Sequence, residues 1–124
     1  MATTKVDLNV VKVMAYYLSE KYGNASSTHS LGQEAKEALE KARRMIARSI
    51  GARPEEIIFT SGGTESNNFA LKGLAWANKD KGKHIITTKI EHDSILKVCQ
   101  WLEKQGFEIT YLDVDEEGFV RAED

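Results

Sequence analysis

Cysteine is almost absent from this sequence, with Cys99 the single one among 124 residues. A lone thiol excludes an intrachain disulfide and a metal cluster built from cysteines. An excess of one charge is missing too: 17 Lys and Arg are mixed with 19 Asp and Glu, for a net charge of -2. That mixture excludes the basic footprint of a nucleic-acid binder and a polybasic membrane anchor. No apolar run approaches the length that crosses a bilayer. Residues 1–20 lack the charged segment and apolar core of a secretion signal, so the expected compartment is the cytoplasm. Repeats, low-complexity tracts and interdomain linkers are also missing. What remains, 41% hydrophobic and 29% charged, is the composition of an ordinary soluble protein, long enough for one domain at most.

The patterning that is present begins with two helices. Asp7 can cap a helix over about 8–22, in which Val10, Val13, Met14, Tyr17 and Leu18 recur at helical spacing. Gly23 is the expected stop. After a polar loop, Asn24 to Thr28, a second helix is expected over about 31–50. Its apolar face is Ala35, Leu39, Ala42, Met45, Ile46 and Ile50, and Gly51 closes it. Glu37–Lys41 and Glu40–Arg44 stand at the i,i+4 spacing that favours ion pairs. Arg53-Pro54, with the only proline, begins a turn.

The periodicity then changes. Ile57-Ile58-Phe59 reads as a strand, and Thr64 to Asn78 as a helix anchored by Phe69, Leu71, Leu74 and Ala75. Lys83 to Ile90 holds a second strand. His92 to Gln105 is a helix with Ile95, Val98, Cys99 and Leu102 on one face, ended by Gly106. Phe107 to Val114 is the third strand, and residues 115–124 make a turn and the start of a further segment. Alternating strands and helices predict an α/β layer with a mostly parallel sheet. The segments divide into a helical part, 1–52, and the start of an α/β domain, 53–124.

Two places can carry chemistry. In FTSGGTESNN (Phe59 to Asn68), small residues separate a strand from a helix. A helix start leaves amide N–H groups unpartnered and attracts negative charge. Gly62 and Gly63 let a ligand approach the backbone, and Thr64 adds a hydroxyl and can serve as the N-cap. The stretch is therefore either a capped turn or a cradle for a phosphate. Neither nucleotide motif, G-x-x-x-x-G-K-[ST] or G-x-G-x-x-G, is present. The second place is Glu91-His92-Asp93-Ser94, at the carboxyl end of the second strand, where α/β sheets bind ligands. His92 there either stacks on a ligand and moves protons, or caps its helix. His29 reads as a loop or cap residue, His84 as structural, and Cys99 as a small core residue. No pair of His or Asp residues has a metal-binding spacing.

Several stretches together resemble the N-terminal part of cysteine desulfurases, pyridoxal-phosphate enzymes of the aminotransferase class V group. They are ATTKVD (Ala2 to Asp7), KYGNASSTHSLG (Lys21 to Gly32), IIFTSGGTESNN, IEHDSI (Ile90 to Ile95) and GFEITYLDVDEEG (Gly106 to Gly118). Ala25 stands where the family usually has proline. The resemblance implies a partial three-layer large domain of the fold-type I aminotransferases, preceded by two helices. It implies pyridoxal 5'-phosphate as cofactor, with Gly63 and Thr64 on the phosphate and His92 both stacked on the pyridine ring and assisting proton transfer. The implied reaction takes sulfur from L-cysteine, leaving alanine, and passes it through an enzyme persulfide to iron–sulfur cluster assembly or thiolation.

The resemblance covers about the first third of a family member. The cofactor-bearing lysine, the aspartate for the pyridine nitrogen, the sulfur-accepting cysteine and the substrate-binding arginine all lie downstream in the family. Cys99 and Lys89 match neither the cysteine nor the lysine motif. The expectation is half of a split enzyme, or a fragment, inactive alone and completed by a C-terminal chain. The expected partners are a second copy in a homodimer and a sulfur-acceptor or iron–sulfur scaffold protein. Two alternatives stand beside it: a selenocysteine lyase or aminotransferase-like relative, and a non-catalytic remnant serving as an interaction or dimerisation module.

Overall fold

The computed structural model describes residues 3–121. Ala2 of the first matching stretch, and residues 122–124 of the final segment, lie outside the described residues. Backbone contacts divide the chain into two compact units, Met1–Ile58 and Phe59–Asp124. Among the described residues, no helix is long and apolar enough to cross a membrane.

The first unit holds α1 (Leu8–Ser19) and α2 (Ser30–Ser49). Asp7 caps α1 as expected, its carboxylate accepting from the Asn9 amide at 2.8 Å. The helix ends at Ser19, with Glu20 as its C-cap, three residues before the expected end. Gly23 is therefore not the stop. Its role is steric: a Cβ there would overlap the Leu31 carbonyl at the start of α2. Gly32 is likewise confined, by the Ser27 and Asn24 carbonyls. The two glycines let loop 24–28 fold tightly against α2, which His29 caps through Nδ1.

α2 is built from Ala, Glu, Lys and Arg, all strong helix formers. It stops where Gly51 takes a left-handed φ of 69°. Its expected apolar face finds little cover. Only Gly32 and Ala47 are buried in α2, and no residue of α1 is buried. Val10, Val13, Met14, Tyr17 and Leu18 are all exposed. Periodicity had marked these as helix faces correctly, but a face is a core only where something packs on it. Glu40 pairs with Arg43 rather than Arg44, at 3.2 Å.

Ile57-Ile58-Phe59 does not form the expected strand. Pro54–Glu56 makes one 3₁₀ turn, and Ile57 leaves it in extended conformation. The Ile57 carbonyl accepts from the Arg43 guanidinium. Among the described residues the segment is not part of the sheet, and without the hydrogen-bonded ladder it is not a strand. Pairing of this segment with the next strand, the simplest βαβ arrangement, does not occur.

The second unit contains α3 (Gly63–Ala77), β1 (His84–Thr88), α4 (Asp93–Lys104) and β2 (Glu108–Leu112). β1 and β2 are parallel, in register from His84–Glu108 to Thr88–Leu112, and α4 is the crossover between them. Gly106, at φ 86°, ends α4 as expected. The core joins Ala75, Val98, Leu102 and Phe107, with Leu71, Ile85 and Ile109 packed against it. Trp76 meets Phe107 edge to face, with centroids 5.5 Å apart. Cys99 and Leu102 are fully buried. Two expected anchors of α3, Phe69 and Leu74, are instead exposed. His84 Nε2 lies 2.7 Å from Thr110 Oγ1 across the two strands, the structural place foreseen for it.

Candidate anion and histidine site

The turn before α3 is tied down by its own side chains. Glu65 reaches back from the first helical turn to accept from the Ser61 amide at 2.6 Å and the Ser61 hydroxyl at 2.7 Å. Those two bonds, the hydroxyl's first, hold the Glu65 carboxyl below its ordinary range. Thr60 Oγ1 lies 2.6 Å from Ser66 Oγ and bonds the Gly62 carbonyl at 3.3 Å. The ladder of α3 starts with Ser66 N–H donating to the Gly62 carbonyl at 3.1 Å.

Gly62, not Thr64, is thus the N-cap, and it contributes no side-chain bond. The cap lies two residues earlier than expected because the helical ladder already begins at the Gly62 carbonyl. Thr64 is the second helical residue, so its hydroxyl is not spent on the cap. The amides of Gly63, Thr64 and Glu65 have no acceptor among the described residues, as helix geometry requires of a first turn. A Cβ on Gly62 or Gly63 would meet nothing within 4 Å, so neither glycine serves internal packing. Open space at the two glycines thus adjoins free amide donors at the positive end of a helix dipole.

His92 is the N-cap of α4. Its Nδ1 accepts from the Ser94 amide at 3.1 Å and lies 2.8 Å from Ser94 Oγ. The capping reading of His92 is therefore correct, and it leaves Nε2 without a partner among the described residues. Ser94 is buried, and its hydroxyl accepts from Asn67 Nδ2 of α3 at 2.8 Å.

Thr64 and His92 line one open depression of about 380 Å³, together with Asn68, Asp93, Ser94, Lys97 and Val98. Gly63 adjoins Thr64 in the chain but does not line it. Asn68 and Ser94 lie within the two stretches that the sequence marks, with no role of their own legible there, and Lys97 lies outside both. Asn68 stands four residues after Thr64, on the same helix face, and its side chain donates to the Thr64 carbonyl at 2.9 Å. Lys97 lies one turn after Asp93 and pairs with it at 3.4 Å. The arrangement offers amide and hydroxyl donors for an anion, an ammonium group nearby, and an imidazole with one free nitrogen. Cys99 lies in the core instead, where burial pushes its thiol above the ordinary value. Lys89 is engaged by Asp113 at 2.7 Å.

The family model for aminotransferase class-V matches residues 1–124. A cysteine desulfurase IscS from Dictyoglomus turgidum is 58% identical over 123 residues, which is 99% of this chain and 31% of the relative. Among solved structures, a NifS-like protein superposes with a TM-score of 0.87 at 43% identity, over 98% of this chain and 34% of the other. SspA in complex with cysteine gives 0.78 at 42% identity, over 90% of this chain and 32% of the other. The chain therefore spans about a third of the length of the proteins it matches, and its α/β arrangement is part of their fold.

Proposed function

The chain belongs to the aminotransferase class-V family, and from that premise we propose that it is the N-terminal part of a pyridoxal-phosphate-dependent cysteine desulfurase. The observation that carries this reading is the shared depression: Thr64, at a helix start with three free amides, and His92 line the same space. A phosphate monoester needs several donors and a positive local field, and Gly63, Thr64 and Glu65 supply amides while Thr64 adds its hydroxyl. The residues present thus fit the phosphate end of the cofactor. Pyridoxal phosphate, when bound, supplies the electron sink for chemistry at an amino acid's α-carbon. The part of this chain is to hold the phosphate through Gly63 and Thr64, and to offer the His92 ring as a stacking surface and Nε2 as a proton site.

In this reading the substrate is L-cysteine, the product is alanine, and the sulfur leaves through a persulfide to an acceptor protein of iron–sulfur assembly or thiolation. The groups that carry the cofactor and accept the sulfur are supplied by a complementary C-terminal part. Persulfide chemistry needs reduced thiols, which supports the cytoplasm as the compartment in this reading. The exposed apolar face of α1 supports association, with that part or with a second copy in a homodimer.

The test is reconstitution. The 124-residue chain is mixed with a polypeptide matching the remaining two-thirds of a relative, and alanine and sulfide release from L-cysteine are measured with a dithiol reductant present to reduce the persulfide. Turnover is expected from the mixture and from neither part alone. Turnover by this chain alone would overturn the reading. An inactive but cofactor-bound mixture would favour a relative with other chemistry, and no association would favour a non-catalytic remnant.

A further inference from the structure

His92 is held by an asymmetric chain of donors. The Ser94 amide is an obligate donor, so Nδ1, 3.1 Å away, must carry a lone pair rather than a proton. Asn67 Nδ2 donates to Ser94 Oγ at 2.8 Å, which occupies an acceptor position of that hydroxyl. The hydroxyl's own proton then points to Nδ1, 2.8 Å distant. Each link has one direction, and all run from α3 towards the imidazole. Ser94 is only 8% exposed, so water competes poorly for the central link.

We infer that Asn67 and Ser94 are positioning residues that fix His92 as the Nε2–H tautomer, so that the neutral ring presents a proton donor, not a base, to the depression. This deepens the proposed function and rests on its assignment of His92 to the site. The consequence is chemical. A neutral His92 enters the site able to give a hydrogen bond from Nε2, and it releases that proton only as Nδ1 takes one up. It can accept a proton at Nε2 only after it has given one up. Asn67 acts across the packing of α3 on α4, through Ser94, and does not itself line the depression. Neither side chain is required by helix capping, because the Ser94 backbone amide alone satisfies that role.

The test reads the ring, not the reaction, and uses the 124-residue chain without cofactor. Imidazole ¹⁵N shifts and their couplings to ring carbon-bound protons are recorded above the titration range of histidine. His84, held by Thr110, serves as an internal control for folding. The native chain is expected to show His92 only as Nε2–H. Asn67→Asp reverses the relay, since a carboxylate can only accept and draws the Ser94 hydroxyl proton to itself. It is expected to shift the His92 signals towards the Nδ1–H form. Ser94→Ala and Ser94→Thr both keep the backbone amide that bonds Nδ1, so both are expected to stay Nε2–H. A native His92 in the Nδ1–H form would overturn the inference whatever the variants do. So would an unchanged tautomer in a folded Asn67→Asp, or an Nδ1–H ring in a folded Ser94→Ala. Because no cofactor is present, these outcomes are separate from any failure of pyridoxal phosphate to bind.

Discussion

Removing the Thr64 hydroxyl isolates one donor of the proposed phosphate cradle. Three amides at the start of α3 and this hydroxyl have no acceptor among the described residues. Thr64→Ala leaves all three amides in place and costs the helix nothing at its cap, because Gly62 is the cap. A hydrogen bond to a charged group contributes about 1.5–3 kcal/mol. Thr64 is exposed, so solvent screening argues for the lower end, or roughly a tenfold loss in affinity. Thr64→Ser keeps the hydroxyl and is expected to bind like the native chain. The assay is a titration with pyridoxal phosphate at fixed ionic strength, followed by quenching of Trp76 and Trp101, with pyridoxal as the ligand lacking phosphate. Pyridoxal is expected to show no difference between native and Thr64→Ala. Equal affinity of the two proteins for pyridoxal phosphate, or an equal loss for pyridoxal, would refute the phosphate assignment.

Further tests address the site and the fold that supports it. His92→Ala in the reconstituted pair is expected to slow cysteine turnover far more than it weakens cofactor binding, read as separate kcat and Kd values; unchanged turnover would leave His92 as a cap only. Leu102→Ala empties the centre of the second unit and is expected to destabilise it by about 2–5 kcal/mol, measured by urea unfolding. Gly32→Ala forces a Cβ into the Ser27 and Asn24 carbonyls and should disrupt loop 24–28, seen as lost amide protection at Ser27. Burial raises the Cys99 thiol above its ordinary value of 9.0, so the folded state holds that proton more tightly than the unfolded one. Its contribution to stability is therefore present below that value and is lost as pH climbs through the raised one, a decline that Cys99→Ala should flatten in alkaline urea titrations.

The helices were legible because their punctuation is local. Asp7, Gly51 and Gly106 act where a cap or left-handed residue is chemically required, and each does so. Gly23 misled because a glycine needed for close approach looks the same in sequence as one that ends a helix. Burial was harder to read. The α4 face of Val98, Cys99 and Leu102 is core because α3 and β2 pack on it, whereas the equally periodic face of α1 has no buried residue. Ile57-Ile58-Phe59 has a strand's composition, but a strand needs a partner, and pairing is non-local. At the site, Thr64 and His92 stood out by position after the predicted strands. Asn67 and Ser94 did not, because their role exists only where α3 crosses α4.

The most direct measurement is an amide and histidine NMR map of this chain titrated with pyridoxal phosphate. The account predicts that the largest shifts fall on the amides of Gly63, Thr64 and Glu65 and on the His92 ring, with inorganic phosphate moving the three amides alone. Shifts centred elsewhere, with these amides and His92 unmoved, would contradict it.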